Sequence, residues 1–297
     1  MSEAGFPDTG RRVRAPILIV GSPRSGTTWL GQRLGCHPQV AYWEEPRPIW
    51  SIGHAWRDDD TLDADDLTPV IARRIDARFA EFLAESGRQR FGEKTPSNCL
   101  RLRFIAALYP DARVIHLVRD GRAVVASMLK MLDRAPDRGR VAARWRETPW
   151  RDLPTLAPLF FRDVVGRALR GSKSHWGPRP PGWRDWLDLP PATRLARQWR
   201  VLVETARRDL GAFPPENTLT MRYEDLTASP AIWLERILAT AGLELDRDWL
   251  AGAVDSAQSD PAGAWRQQLS SDQVRAVEAE AGSLLNELGY QPDFPQS

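Results

Sequence analysis

The sequence predicts an α/β fold, a parallel sheet flanked by helices, and two observations carry that expectation. Pro16–Val20 and Arg113–Val118 are short, nearly unbroken apolar runs, the pattern of strands buried on both faces. Each run passes through a tight polar turn into an amphipathic helical stretch. Strands alternating with helices in this way call for parallel pairing through crossover helices. At 297 residues the economical reading is one α/β domain over 1–297.

Taken in order, Met1–Arg14 is polar and reads as a flexible tail without the apolar core of a signal peptide. The helix opening near Thr27 should stop by Gly35, because Pro38 follows. Val40–Trp43 reads as a second strand, running into Glu44-Glu45-Pro46-Arg47-Pro48, where the prolines argue for a non-helical loop. Asp58–Asp66 is acidic and turn-like, and Leu67–Glu85 has helical apolar spacing. Arg90–Glu93 reads as a strand, and Ser97 or Asn98 as the cap of a helix running to Tyr109.

The strand Arg113–Val118 leads into a helix through Val124, Val125, Met128 and Leu132. From 134 to 191 Pro, Gly, Trp and Arg dominate, and this insertion is too long for a plain connector; it reads as a lid or an acceptor wall. Thr193–Leu210 resumes as a helix, Thr218–Tyr223 as a strand, and Pro230–Ala241 and Ser271–Leu288 as the last helices, the latter capped by Ser270 or Ser271.

Composition excludes several classes. The formal net charge is +2, which gives no bulk electrostatic case for nucleic acid. No run approaches the roughly 20 apolar residues of a membrane span. Cys36 and Cys99 are the only cysteines, neither in a CxxC pair, so a reducing, cytoplasmic compartment is expected. The histidines show no metal spacing, and no metal site is expected. Lysine occurs only at 94, 130 and 173, in a chain otherwise rich in arginine.

The chemistry concentrates after the first strand. Gly21-Ser-Pro-Arg-Ser-Gly-Thr-Thr is a turn between a buried strand and a helix, so its N–H groups and the helix N-terminus should converge on one anion. Gly21 and Gly26 keep the spacing of a nucleotide P-loop, but Thr27 stands where a Walker A loop has lysine. The cation sits earlier, at Arg24, whose planar guanidinium suits a multi-oxygen anion.

Pro23-Arg24-Ser25-Gly26-Thr27-Thr28-Trp29 resembles the 5′-phosphosulfate loop of sulfotransferases that use 3′-phosphoadenosine 5′-phosphosulfate (PAPS). The family's second motif resembles Val118-Arg119-Asp120-Gly121-Arg122 with Ser127 on the following helix, its 3′-phosphate site. The resemblance implies a nucleotide-kinase-like sheet with PAPS as co-substrate and 3′,5′-bisphosphoadenosine (PAP) as product. It implies donor binding by Arg24, Ser25, Gly26, Thr27, Thr28, Trp29, Arg119 and Ser127. Arg222-Tyr223-Glu224-Asp225-Leu226 also resembles a family segment and adds Tyr223. The stretch 260–268, with Trp265 and Arg266, resembles the late loop over the 3′-phosphate but lacks its lysine-glycine pair.

Transfer needs a base for the acceptor hydroxyl and a cation for the leaving oxygen. Arg24 and Lys94 are the expected cations. Cytosolic-type sulfotransferases carry a histidine two residues after this lysine, and here that position is Pro96. Glu44-Glu45-Pro46-Arg47 resembles instead the Glu-Glu-x-Arg segment of the Golgi-type and protein-tyrosine branch, making Glu45 the expected base, with Glu44 and His54 in reserve. The acceptor is a hydroxyl on a small molecule or glycan: a sugar, a phenol or an alcohol. An ATP-dependent P-loop kinase and a non-catalytic nucleotide-binding protein are the alternatives. Oligomeric state is not legible.

Overall fold

A computed structural model describes residues 10–132, 175–257, 263–291 and 293. Its centre is a five-stranded sheet of order β2-β3-β1-β4-β5, every pair parallel. The strands are β1 (Ile17–Val20), β2 (Val40–Glu44), β3 (Arg90–Lys94), β4 (Arg113–Val118) and β5 (Thr218–Arg222). Parallel pairing sends every carboxyl end to the same edge. The chain leaves β1 toward β2 on one side and leaves β4 toward β5 on the other, so the β1/β4 crevice is the switch point at which open α/β sheets bind ligands.

Residue alternation along the strands sorts the core. Ile17 and Ile19 pack with Val40, Ile115, Leu117 and Met221 against α1 (Thr27–Gly35) and a later helix, Pro230–Ala241. Leu18, Val20, Phe91 and Val114 face the opposite side, under α3 (Pro69–Ser86) and α4 (Leu102–Leu108). Next to that face, α5 (Gly121–Leu132) packs with α6 (Pro191–Asp209) and the final helix. The remaining helices are α7 (Tyr223–Ala228), α8 (Pro230–Ala241), α9 (Arg247–Asp255) and α10 (Ser271–Glu287).

Local rules account for the ends. Thr68 accepts from Ile71 N at the start of α3, Pro69 fills the first turn, and Gly87 closes it in the left-handed region. Ser270 and Gln273 form a capping box on α10.

The structure departs from the sequence expectations at five places. Pro46 and Pro48 do not prevent a helix: Arg47–Trp50 is one helical turn (α2), since first-turn positions need no N–H from proline. Neither Ser97 nor Asn98 caps α4. Pro96–Leu100 is a separate 3-10 turn, and the Asn98 amide donates instead to Glu93. Helix α9 was not anticipated; Asp246 caps it by accepting from Trp249 N. Tyr223 opens α7 and does not close β5. The expected tail is fixed from residue 10 onward, because buried Asp76 accepts from the N–H groups of Arg12 and Val13.

Residues 1–9 and 134–174 of the expected tail and insertion lie outside the described residues. The described end of the insertion is tied to the acidic stretch: Arg179 N donates to Asp60 Oδ2 at 2.8 Å, and Trp183 Nε1 to the Asp58 carbonyl at 3.1 Å. Among the described residues no helix is long and apolar enough to cross a membrane.

His116, on β4, is fully buried with Nε2 unpartnered, and burial pushes its pKa down to about 4. The folded state therefore disfavours protonation. The His116 contribution is complete above the unfolded pKa of 6.5 and is lost as pH falls toward 4. His116→Leu should flatten stability against pH between those limits by up to about one proton relative to the parent, read from urea midpoints. Parallel curves would count against it.

Candidate active site

The carboxyl edge of the sheet gathers the chemically distinctive residues. After β1, the turn Gly21–Gly26 is closed by a hydrogen bond between the Ser22 and Ser25 hydroxyls at 2.6 Å and by Ser25 N donating to Ser22 O. A Cβ at Gly21 would stand 2.5 Å from the Leu117 carbonyl, so β1 and β4 approach this closely only with glycine there. Gly26 has φ 89°, and a Cβ on it would lie 2.4 Å from the Tyr223 ring. Arg24 itself has φ 69°, an unusual left-handed conformation for arginine.

Two clusters result. In the first, Arg24 Nε donates to Ser127 Oγ at 2.9 Å, and Arg119 Nη1 donates to the Arg24 carbonyl at 2.8 Å. The Arg119 guanidinium lies 4.8 Å from the centre of the Tyr223 ring, in cation–π range. Arg119 is thus not taken up by adjacent Asp120, whose carboxylate holds Arg122. Arg122 also reaches Glu278 and stacks on Trp265. Glu224 accepts from Asp120 N and from the Tyr290 hydroxyl, tying the β4 corner to the end of the chain.

The second cluster sits at the ends of β2 and β3. Lys94 is 1% exposed, and its Nζ donates to Glu45 Oε1 at 2.8 Å. Glu45 N donates in return to the Lys94 carbonyl at 3.0 Å. Glu44 Oε1 lies 3.9 Å from the same ammonium, and Arg47 Nε lies 3.4 Å from Glu45 Oε2. Glu45 also has a left-handed backbone, φ 53°. A lysine this buried is stable as a cation only when paired.

The other expected residues have the following placements. His54 Nε2 donates to the Asp66 carbonyl, and the ring packs edge-on against Phe104; it is not brought into either cluster. Trp29 Nε1 donates to the Ser256 carbonyl, joining α1 to the end of α9. Ser25 and Thr27 are buried in the turn, whereas Thr28 is exposed. Trp265 is buried, and Arg266 pairs with Asp293. Sequence reasoning gave Glu93 no role beyond closing the strand Arg90–Glu93. It is fully buried and accepts from Thr95 Oγ1 and Asn98 Nδ2, both at 2.6 Å. Its position inside the buried alternation of β3 was the available signal.

This arrangement is a pair of contacting arginines at the β1/β4 edge, flanked by a carboxylate–ammonium pair. A family model described as sulfotransferase family matches residues 16–152 and 159–247, well over half the chain. The chain belongs to the sulfotransferase family. Protein-tyrosine sulfotransferase 1 of Danio rerio is 34% identical over 125 residues, 38% of this chain and 35% of the relative. Nodulation protein NoeE of Sinorhizobium fredii is 30% identical over 126 residues, 37% of this chain and 30% of that protein. The chain thus spans well under half the length of these curated relatives. In fold it is similar to the sulfotransferase domain from the curacin biosynthetic pathway, with TM-score 0.54 and 14% identity over 94% of this chain and 99% of that one. Sulfotransferase STF9 from Mycobacterium avium gives TM-score 0.51 and 16% identity, over 95% and 79%.

In this member of the family, Gly26→Ala should destabilise by about 1–3 kcal/mol, through left-handed strain and the collision with Tyr223. The cost should shrink in a Tyr223→Ala background, because the collision then disappears while the strain remains. Urea unfolding of the double-mutant cycle reads the difference. Additive effects would contradict the contact.

Proposed function

We propose that this protein transfers a sulfuryl group from PAPS to an acceptor hydroxyl. One observation carries the reading: Arg24 and Ser127 are in hydrogen-bond contact while Arg119 bonds to the Arg24 carbonyl, so two anion seats adjoin across the β1/β4 crevice. A donor with phosphate groups at both ends of one adenosine matches two adjoining seats. The glycine-dependent turn fits a 5′-phosphosulfate, and Arg119 with Ser127 fits a 3′-phosphate. Tyr223, beneath Arg119, borders the second seat.

PAPS supplies the sulfuryl group, and the protein supplies positioning, a base and countercharge. Glu45 is the proposed base: its carboxylate is largely sheltered at 12% side-chain exposure, against 42% for Glu44. Lys94 is the proposed countercharge to the leaving oxygen. Its hydrogen bond to Glu45 couples the two roles, since an ammonium drawn toward the leaving oxygen frees the carboxylate to accept the hydroxyl proton. The Arg24 guanidinium lies against Ser127, so this geometry supports it at the 3′-phosphate side as well as beside the phosphosulfate. A sugar, a phenol and an alcohol are all compatible acceptors, and similarity to relatives named protein-tyrosine sulfotransferases supports the phenol.

A kinase reading is less well supported, because Thr27 occupies the Walker lysine position with its side chain buried in the turn. PAP should raise the melting temperature by several degrees at about a hundredfold excess over Kd, whereas 5′-AMP should give a much smaller shift. Arg119→Ala should remove the difference between them. Equal shifts from both nucleotides in the parent would argue against a 3′-phosphate seat. Glu45→Gln should keep the PAP shift but slow sulfuryl transfer by about 10²–10⁴, measured as PAP release from PAPS. Unchanged turnover would remove Glu45 from the mechanism.

A further inference from the structure

Glu93 is a buried acid that the proposed reaction does not use. It lies on β3, one residue before Lys94, and is 0% exposed. Its side chain belongs to the face opposite Lys94, and each carboxylate oxygen accepts a hydrogen bond from the turn that follows. Oε2 accepts from the Thr95 hydroxyl and Oε1 from the Asn98 amide, both at 2.6 Å. These partners belong to the turn that begins directly after Lys94. Asn98 N also donates to the Thr95 carbonyl, closing the turn on itself.

The backbone on the other side of Lys94 is held by the strand. Ile19 and Glu44 are its register partners, and its carbonyl accepts from Glu45 N. Residue 94 is therefore gripped before and after, and Glu45 is referenced to it twice, once through the carbonyl and once through Nζ. A shift of the turn moves the ammonium and the carboxylate together relative to the loop after β1. Near-attack geometry is sensitive to such shifts, about a hundredfold in rate per ångström.

We propose that Glu93 is a positioning residue for transfer: by clasping Thr95 and Asn98 it sets where the Lys94 ammonium, and with it Glu45, stands at the sheet edge. The proposal rests on the roles given above to Lys94 and Glu45. A carboxyl in this place is costly, since burial pushes its pKa up to about 7. Its partners tolerate either charge state. The Thr95 hydroxyl can turn, and Asn98 Oδ1 is buried without a hydrogen-bond partner, so a half-turn of the amide offers a protonated Glu93 an acceptor. The clasp survives titration, and that marks geometry as its contribution. Glutamine, with the same volume and both an acceptor and a donor, should then replace it.

The test compares Glu93→Gln with Glu93→Ala at a temperature where circular dichroism shows both folded, following PAP release from PAPS with water as acceptor. Glu93→Gln should stay within about threefold of the parent, and Glu93→Ala should be slowed by about 30-fold or more. Both should bind PAP within about threefold of the parent, because Arg119 follows β4 and Ser127 lies on α5, both beyond β1 from Glu93. Folded Glu93→Ala working at the parental rate would overturn the proposal. So would an equal loss in Glu93→Gln, which would assign the effect to charge. Should Glu93→Ala not fold, Thr95→Val against Thr95→Ser makes the same comparison: valine should slow release by about tenfold and serine should not. If Lys94→Ala releases PAP at the parental rate, the catalytic reading of Lys94 fails and this proposal with it. If Lys94→Ala is inactive while folded Glu93→Ala is not slowed, the positioning role alone fails.

Discussion

The site depends on how closely β1 approaches β4. The two strands pair from Ile17 with Arg113 to Val20 with His116, and the next residue on the β1 side has no room for a side chain against the Leu117 carbonyl. That contact brings the turn after β1 within reach of the α5 residues that follow β4. Without it, Arg24 could not lie 2.9 Å from Ser127, 103 positions away in sequence. Strand order does the rest. Because β3 lies on the opposite side of β1 from β4, the Lys94–Glu45 pair flanks the same turn from the other direction.

Burial and backbone strain both occur at the carboxyl edge of the sheet. Lys94 is nearly inaccessible and costly to keep charged, and Glu45 and Arg24 both carry left-handed backbones that arginine and glutamate seldom adopt. Strained conformations persist where surroundings over-determine them. Here Glu45 is held by Lys94 at both its amide and its carboxylate, and Arg24 by Arg119 at its carbonyl and Ser127 at its guanidinium. Each strained residue therefore has its position set by a neighbouring strand, which keeps the edge organised before any substrate is considered.

Much of this was legible in the chain and some was not, for identifiable reasons. Strands β1 and β4 announce themselves because burial on both faces leaves a continuous apolar run, and the turns after them combine glycine and arginine, with serine and threonine added after β1. The helix at Arg247–Asp255 was missed because its apolar content is thin and only Asp246 signals its start. The short turn Arg47–Trp50 was missed because proline was read as a breaker where it stands at a helix start. At the site, the turn after β1 and the family resemblance pointed to Arg24, Arg119, Ser127, Lys94 and Glu45, but not to the hydrogen bonds that join Arg24 to Ser127 and Lys94 to Glu45. Which residues meet is a property of strand order, and no local pattern encodes that β3 and β4 lie on opposite sides of β1. Glu93 was overlooked for a related reason: beside Lys94 in sequence, it belongs to the other face of the sheet.

The displaced loop cation has a structural rationale that bears on chemistry. In a Walker loop the lysine follows the second glycine and extends from the first helical turn. Here Thr27 fills that place, and its methyl lies 2.9 Å from where a Gly21 Cβ would be, turned into the base of the turn. The guanidinium at position 24 projects from a left-handed residue before the helix begins, and it reaches sideways across the crevice to α5. A cation so placed sits between the two seats. A loop charge that spans neighbouring seats suits a ligand with two separated anions better than a linear triphosphate gripped along one helix axis. The displacement of the charge by three positions, together with Ser127 at its far end, thus favours a bisphosphorylated adenosine donor over ATP on physical grounds that need no motif.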